Sequence, residues 1–152
     1  MTIELGTLYS FGYQGLGGAD DLRGMLHGTL VETIVDVRLS AWSGTRAFSV
    51  ATGRTVGAAG FEYSHLRDLG NLAYRTGGIQ IKDIEAIEVV LGRLRAGESV
   101  ALMCVCRLPD HCHRLVLCEE AVRREPGLKV VHLPRSMDGM GLGIIAQSLG
   151  LV

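Results

Sequence analysis

The sequence lacks an excess of either charge. Lysine and arginine total 15 against 16 acids, a formal net charge of −1, which argues against a chain that is basic all over. It also lacks a long apolar run. No segment approaches the ~20 residues that a membrane helix needs. The nearest, Gly139 to Val152, is short and broken by glycine. Met1 to Leu8 has no basic patch followed by an apolar stretch, so no export signal is expected there. Four cysteines do not make a disulfide framework in a chain of this length without such a signal. A reduced, cytoplasmic setting with no membrane partner is therefore expected, with Cys104, Cys106, Cys112 and Cys118 as thiols or metal ligands. No internal repeat or low-complexity linker interrupts the chain.

What is present fits one folded domain over residues 1–152, since 47% of the residues are hydrophobic and 20% charged. Strand-like and helix-like segments alternate. Thr7–Phe11, Val31–Val37, Phe61–Leu66, Ser99–Cys104 and Leu128–Leu133 read as strands, the second and fourth as apolar, β-prone runs. Ala19 to about His27 reads as a short helix stopped by Gly28, and His113–Arg124 as another. Asp83–Ala96 is the clearest helix: Asp83 can cap it, Ile84, Ile87, Leu91 and Leu94 form one stripe, and Gly97 ends it. Apolar strands separated by helices predict an α/β fold, a mostly parallel, Rossmann-like sheet with helices on both faces. The long Arg38–Gly60 connection has room for further elements. The tail 134–152, with Met137, Met140, Ile144 and Ile145, is expected to cover the sheet or join a second copy in a homo-oligomer.

In open parallel sheets, ligands bind beyond the carboxyl ends of the strands. Three loops expected there, 38–60, 67–82 and 104–114, hold eight cations and two acids, a local +6 against −7 elsewhere. Seven of those cations are arginine, whose planar fork suits phosphate or carboxylate. The near-neutral total thus hides an expected anion-binding edge, with Gly12, Tyr13, Arg38, Arg46, Arg107 and Arg114 as candidate anion contacts. The alternative is that some of these arginines pair with carboxylates. Asp36 and Arg38 stand two apart at a strand end, so their side chains point the same way. Asp36 then serves as a base, or equally holds the arginine in place.

The segment Cys104–Arg114 carries the most chemistry. A strand, a tight turn and a helix start present free N–H groups and the positive end of a dipole, which lowers the pKa of a thiol placed there. Asp36, His65, Cys104, Cys112 and His113 are the candidate catalytic residues, the cysteines as nucleophiles and the others as acids or bases. Two templates fail. The tyrosine-phosphatase loop needs arginine six positions after its cysteine, where Cys104 reaches Asp110 and Cys106 reaches Cys112. A zinc knuckle spaces its first cysteines more widely than Cys104 and Cys106. A zinc site built from Cys104, Cys106, Cys112 and His113 remains an alternative, although no cofactor is expected. Cys118 is expected to be a small buried hydrophobe. The Gly12–Gly18 stretch lacks both the dinucleotide spacing and the Walker lysine.

From Thr7 to Leu133 these residues resemble the bacterial and archaeal proteins called domain of unknown function 488. The carrying residues are the Gly12 turn, Asp36-Val37-Arg38, Phe48, Tyr63-Ser64-His65-Leu66 leading to Leu69-Gly70, Leu102-Met103-Cys104 and Pro109-Asp110-His111-Cys112-His113-Arg114. Cys-His-Arg is the most specific of them. The resemblance implies an α/β fold and a shared site. Two positions depart from the family pattern: Tyr13 replaces a histidine, and Cys106 a glutamate. If those residues do chemistry in relatives, this chain does it differently or not at all. The leading expectation is an enzyme acting on a phosphate-bearing ligand, a nucleotide or nucleic acid. The alternatives are a non-catalytic module binding such a ligand and a structural metal-binding cysteine/histidine loop.

Overall fold

A computed structural model describes residues 3–41 and 43–134. Its strands are β1 (Leu8–Gly12), β2 (Val31–Asp36), β3 (Glu62–His65), β4 (Ser99–Cys104) and β5 (Val130–His132). All pair in parallel, in the order β3-β2-β4-β1-β5. Strand β4 is central and buried from end to end, which is why its sequence is apolar without alternation. The register sets Gly12 beside Cys104, and Asp36 beside both Met103 and His65. The strand ends named in the sequence therefore form one row.

The two faces of β4 are covered by different helices. Ala101 and Met103 pack, with Phe11 and Ile34, under Leu22 of α1 (Ala19–Met25) and Val56 of α2 (Thr52–Ala58). Val100, Leu102 and Cys104 pack under α3 (Ile87–Arg95) and α4 (His113–Arg124), through Leu91, Leu94, Leu117 and Cys118. Cys118 is the buried hydrophobe expected. The α/β, all-parallel architecture with helices on both faces thus follows from strand composition. No helix among the described residues is long and apolar enough to cross a membrane. The tail expected to cover the sheet or join a second copy, Pro134 apart, lies outside the described residues.

Local differences have local causes. The first turn of the Asp83–Ala96 segment is a 3-10 turn, Ile84–Ala86, in which Asp83 accepts the Glu85 N–H at 3.1 Å. The first helix ends at Met25, short of His27, and Gly28 follows at φ 81°. The Arg38–Gly60 connection contains a 3-10 turn at Arg46–Phe48 and all of α2. The α2 sequence, Thr-Gly-Arg-Thr-Val-Gly-Ala, has poor helix propensity. It is held by burial of Thr52 and Val56, so tertiary packing decides it.

The connections β1–β2 and β2–β3 run toward one edge of the sheet across the α1/α2 face. Those from β3 to β4 and from β4 to β5 return across the α3/α4 face. Neighbouring β2 and β4 therefore send their chains opposite ways, which opens a crevice beyond their carboxyl ends.

Candidate functional site

That crevice holds a cavity of about 370 Å³. Arg38 and Leu39 line it from the end of β2, Cys104 to Cys106 from β4, and Cys112 and His113 from the start of α4. Asn71, Tyr74, Gly77 and Gly78 line it from the loop before α3. Asn71 organises that loop: its Oδ1 accepts the amides of Ala73 and Gln80 at 3.0 and 2.8 Å, and its Nδ2 donates to the Gly78 carbonyl at 2.9 Å.

Three thiols meet at the cavity floor. The Sγ atoms of Cys104, Cys106 and Cys112 lie within 4.8 Å of one another. Cys112 stands immediately before α4 in extended conformation, where helix N–H groups and dipole favour an anion. The His113 Nδ1 is 3.8 Å from the Cys112 Sγ, while its Nε2 donates to the Val37 carbonyl at 2.8 Å. The Cys104 thiol, the His113 ring and the Arg114 amide, acting against burial, bring Cys112 down to about 4. His113 loses by burial but gains more from Cys112 and the Val37 carbonyl, and its pKa is raised. Cys104, donating to its neighbours and buried, is pushed up. The Cys104 hydrogen bond instead brings Cys106 down to about 7. The arrangement is a lowered thiol beside an imidazole whose hold on a proton is strengthened, with a second thiol donating to the first. Three thiolates can also hold a soft metal ion. Tetrahedral zinc, with Zn–S ~2.3 Å and hence S–S separations of roughly 3.8 Å, would need the sulfurs to draw together. His113 stands outside that three-thiol group.

Asp36 and Arg38 form a closed unit behind the cavity wall. Asp36 is fully buried and Arg38 is 5% exposed. The Arg38 Nε and Nη2 donate to the two carboxylate oxygens at 2.8 and 2.5 Å. Its remaining donors reach the Tyr13 hydroxyl, the Phe48 carbonyl and the Thr52 hydroxyl at 3.1, 2.6 and 3.3 Å. The carboxylate also accepts the Arg38 amide and the Tyr63 hydroxyl, at 3.1 and 2.7 Å. A guanidinium has five N–H donors, and all five are engaged. Burial works against the Arg38 charge, but Asp36 outweighs it and the pKa is raised. Burial and the bond to Asp36 likewise raise Tyr63. Tyr13 turns inward, its ring stacked on Phe48 at 4.6 Å, and does not line the cavity.

Arg114 is fully buried beneath the thiols. Its Nε donates to the Ser10 hydroxyl at 3.2 Å, and its Nη atoms donate to the Cys106 and Arg107 carbonyls at 3.0 and 2.9 Å. Nη1 also points at the Cys104 Sγ, 3.9 Å away. Among the described residues no carboxylate pairs with it. It is a buried cation compensated by carbonyls and thiols. Ser10 in turn lies 2.5 Å from the His132 Nδ1, and burial with the Arg114 charge lowers His132 to about 4.

The structure thus brings Arg38, Cys104, Cys112 and His113 to one cavity. Asp36 and Arg114 lie directly behind it, their polar atoms engaged within the fold. His65 is exposed at the end of β3, its Nε2 donating to the Arg38 carbonyl at 2.7 Å. Arg46 and Arg107 are exposed outside the cavity lining. Gly12 has a packing role: a Cβ there would stand 1.7 Å from the Cys106 carbonyl oxygen, so its absence lets the cysteine loop cross the end of β1. Sequence reasoning missed Asn71, Tyr74 and the Arg114 anchor. The last was readable, since Arg114 precedes Leu117, Cys118 and Ala121 at helical spacing on the face that α4 buries.

Comparison with curated proteins and with solved structures finds no match. The family model described as "Domain of unknown function DUF488" matches residues 19–121, which run from the start of α1 into α4 and include every cavity-lining residue. The chain belongs to that family.

Proposed function

We propose that this protein is an enzyme acting on a phosphate-bearing ligand, a nucleotide or nucleic acid, with Cys112 as its nucleophile. One observation carries the reading: Cys112 lines a cavity at the sheet's switch point, at the start of a twelve-residue helix and against His113. An attacking thiolate needs a favourable field and a proton partner, and the helix start and His113 supply them. The same helix N–H groups favour an anionic ligand. The exposed Arg46, Arg54, Arg67 and Arg107 extend that field over the loops. Asp36, Arg38 and Arg114 act as positioning residues, because their polar atoms are spent on the walls of the site.

The test is alkylation of Cys112 by iodoacetamide, followed by mass spectrometry, with ATP, a short oligonucleotide or inorganic phosphate present. The parent is expected to alkylate from about pH 4 upward, in line with the lowered Cys112. The phosphate-bearing ligand should slow this, less so as salt rises. Turnover of such ligands that survives Cys112→Ala overturns the nucleophile. Protection without turnover identifies a binding module. The three-thiol cluster favours a second reading, a metal-binding loop, and bound zinc that blocks alkylation of all three cysteines would establish it.

A further inference from the structure

We infer that Cys112 and Cys106 are a hydroperoxide-responsive pair, in which Cys112 accepts the oxygen and Cys106 closes a disulfide on it. This rests on Cys112 being a nucleophile, but not on the phosphate-bearing ligand. The geometry supplies three elements. All four cysteines are free thiols, and three of their sulfurs lie within 4.8 Å of one another. Cys112 is 3% exposed yet lines the cavity, so a small peroxide can reach it from the cavity. Cys106 is exposed on the loop beyond β4, where a reductant can reach the product.

Cys104 is the competing partner, and its setting disfavours it. It is 2% exposed, ends the central strand in register with Gly12, and receives the Arg114 Nη1. Moving its sulfur would disturb β4. Cys106 lies outside any strand or helix, so rotation of its side chain with a small loop adjustment can reach the ~2.05 Å bond length. Thiolates are the attacking species in both steps.

The Cys112 sulfur attacks the terminal oxygen of the hydroperoxide. An S–O bond forms, the O–O bond breaks, and the departing alkoxide or hydroxide takes a proton from His113. The Cys106 sulfur then attacks the Cys112 sulfenic acid. An S–S bond forms, the S–O bond breaks, and hydroxide leaves as water with the proton that Cys106 gave up. Two thiols and one hydroperoxide yield one disulfide, one alcohol (or water) and one further water. Sulfur supplies both electrons, and a dithiol reductant restores the pair.

The full-length protein, reduced and treated with chelator, is exposed to a small excess of hydrogen peroxide, alkylated and digested with trypsin. Cleavage after Arg95, Arg107, Arg114 and Arg123 puts Cys104 and Cys106 in 96–107, Cys112 in 108–114 and Cys118 in 115–123. Free thiols should fall from four to two. Peptide 96–107 should be joined to 108–114, with fragmentation placing the bond at Cys106, and dithiothreitol should reverse it. In Cys106→Ser, Cys112 should instead advance to sulfinic acid, which dithiothreitol does not restore. A bond mapped to Cys104, or a Cys112 that still alkylates at pH 5 but forms no disulfide, overturns the pairing and leaves the nucleophile standing. A Cys112 that neither alkylates nor oxidises removes both. Zinc that survives chelation on all three thiols also overturns the pairing.

Discussion

Removing the Asp36 carboxylate tests whether the Asp36–Arg38 unit is scaffold or chemistry. In Asp36→Ala the Arg38 guanidinium keeps its bonds to Tyr13, Phe48 and Thr52. It loses both carboxylate oxygens in a position only 5% exposed. Breaking a buried ion pair from one side costs about 3–5 kcal/mol, because a charge is left unpaired. At ~2–4 °C per kcal/mol for a chain of this size, the melting temperature should fall by roughly 6–20 °C. Tyr63→Phe removes one hydrogen bond to the same carboxylate and should cost about 1.5 kcal/mol. In the Asp36→Ala background it should cost far less, since its partner is already gone. The double change Asp36→Leu/Arg38→Met removes both charges and should recover most of the loss. Equilibrium urea unfolding followed by circular dichroism measures all four, with unchanged slopes showing that the same surface is exposed. A loss below about 1 kcal/mol in Asp36→Ala would refute the reasoning and return Asp36 to the list of reactive groups.

Gly12→Ala should destabilise the chain by about 2 kcal/mol or more, since the new methyl would overlap the Cys106 carbonyl. It should also slow Cys106–Cys112 pairing by displacing the loop. Gly24→Ala, whose added methyl meets nothing within 4 Å, should by contrast gain about 0.5–1 kcal/mol; equal effects of the two in urea unfolding would refute the close approach. For His132, burial lowers the folded pKa from 6.5 to about 4. Below 6.5 the unfolded chain therefore takes up a proton that the folded chain refuses. Stability should fall as pH drops from 6.5 to 4, by up to about 3 kcal/mol. His132→Asn should flatten that slope in a pH series of unfolding curves, and a parent-like slope would count against a buried neutral ring.

Amino-acid order alone determined the layered fold, because its signals are local and repeated. The β-prone run at Val31–Asp36 and the apolar run at Ser99–Cys104 read as strands buried over most or all of their length, and a parallel sheet then needs crossover helices on its faces. The cysteine segment was legible for the same reason: a strand end and a helix start are adjacent in sequence there. Helix α2 was not, since two glycines and two threonines in seven residues give no local signal that outweighs packing.

What only the tertiary structure decided was which charges remain available. The sequence placed eight cations on the ligand edge. Folding engages Arg38 with Asp36, Lys82 with Asp68, and Arg114 with carbonyls. Tyr13 and Gly12 likewise turned from candidate anion contacts into packing elements, through Phe48 and the Cys106 carbonyl. Residue type and spacing say which groups can pair. Which partner stands within 3 Å depends on strand order, and β2 meets β4 only because the chain turns back after β3. That reversal sets Cys112 and His113 against the end of β2, where the Val37 carbonyl fixes the imidazole beside the thiolate.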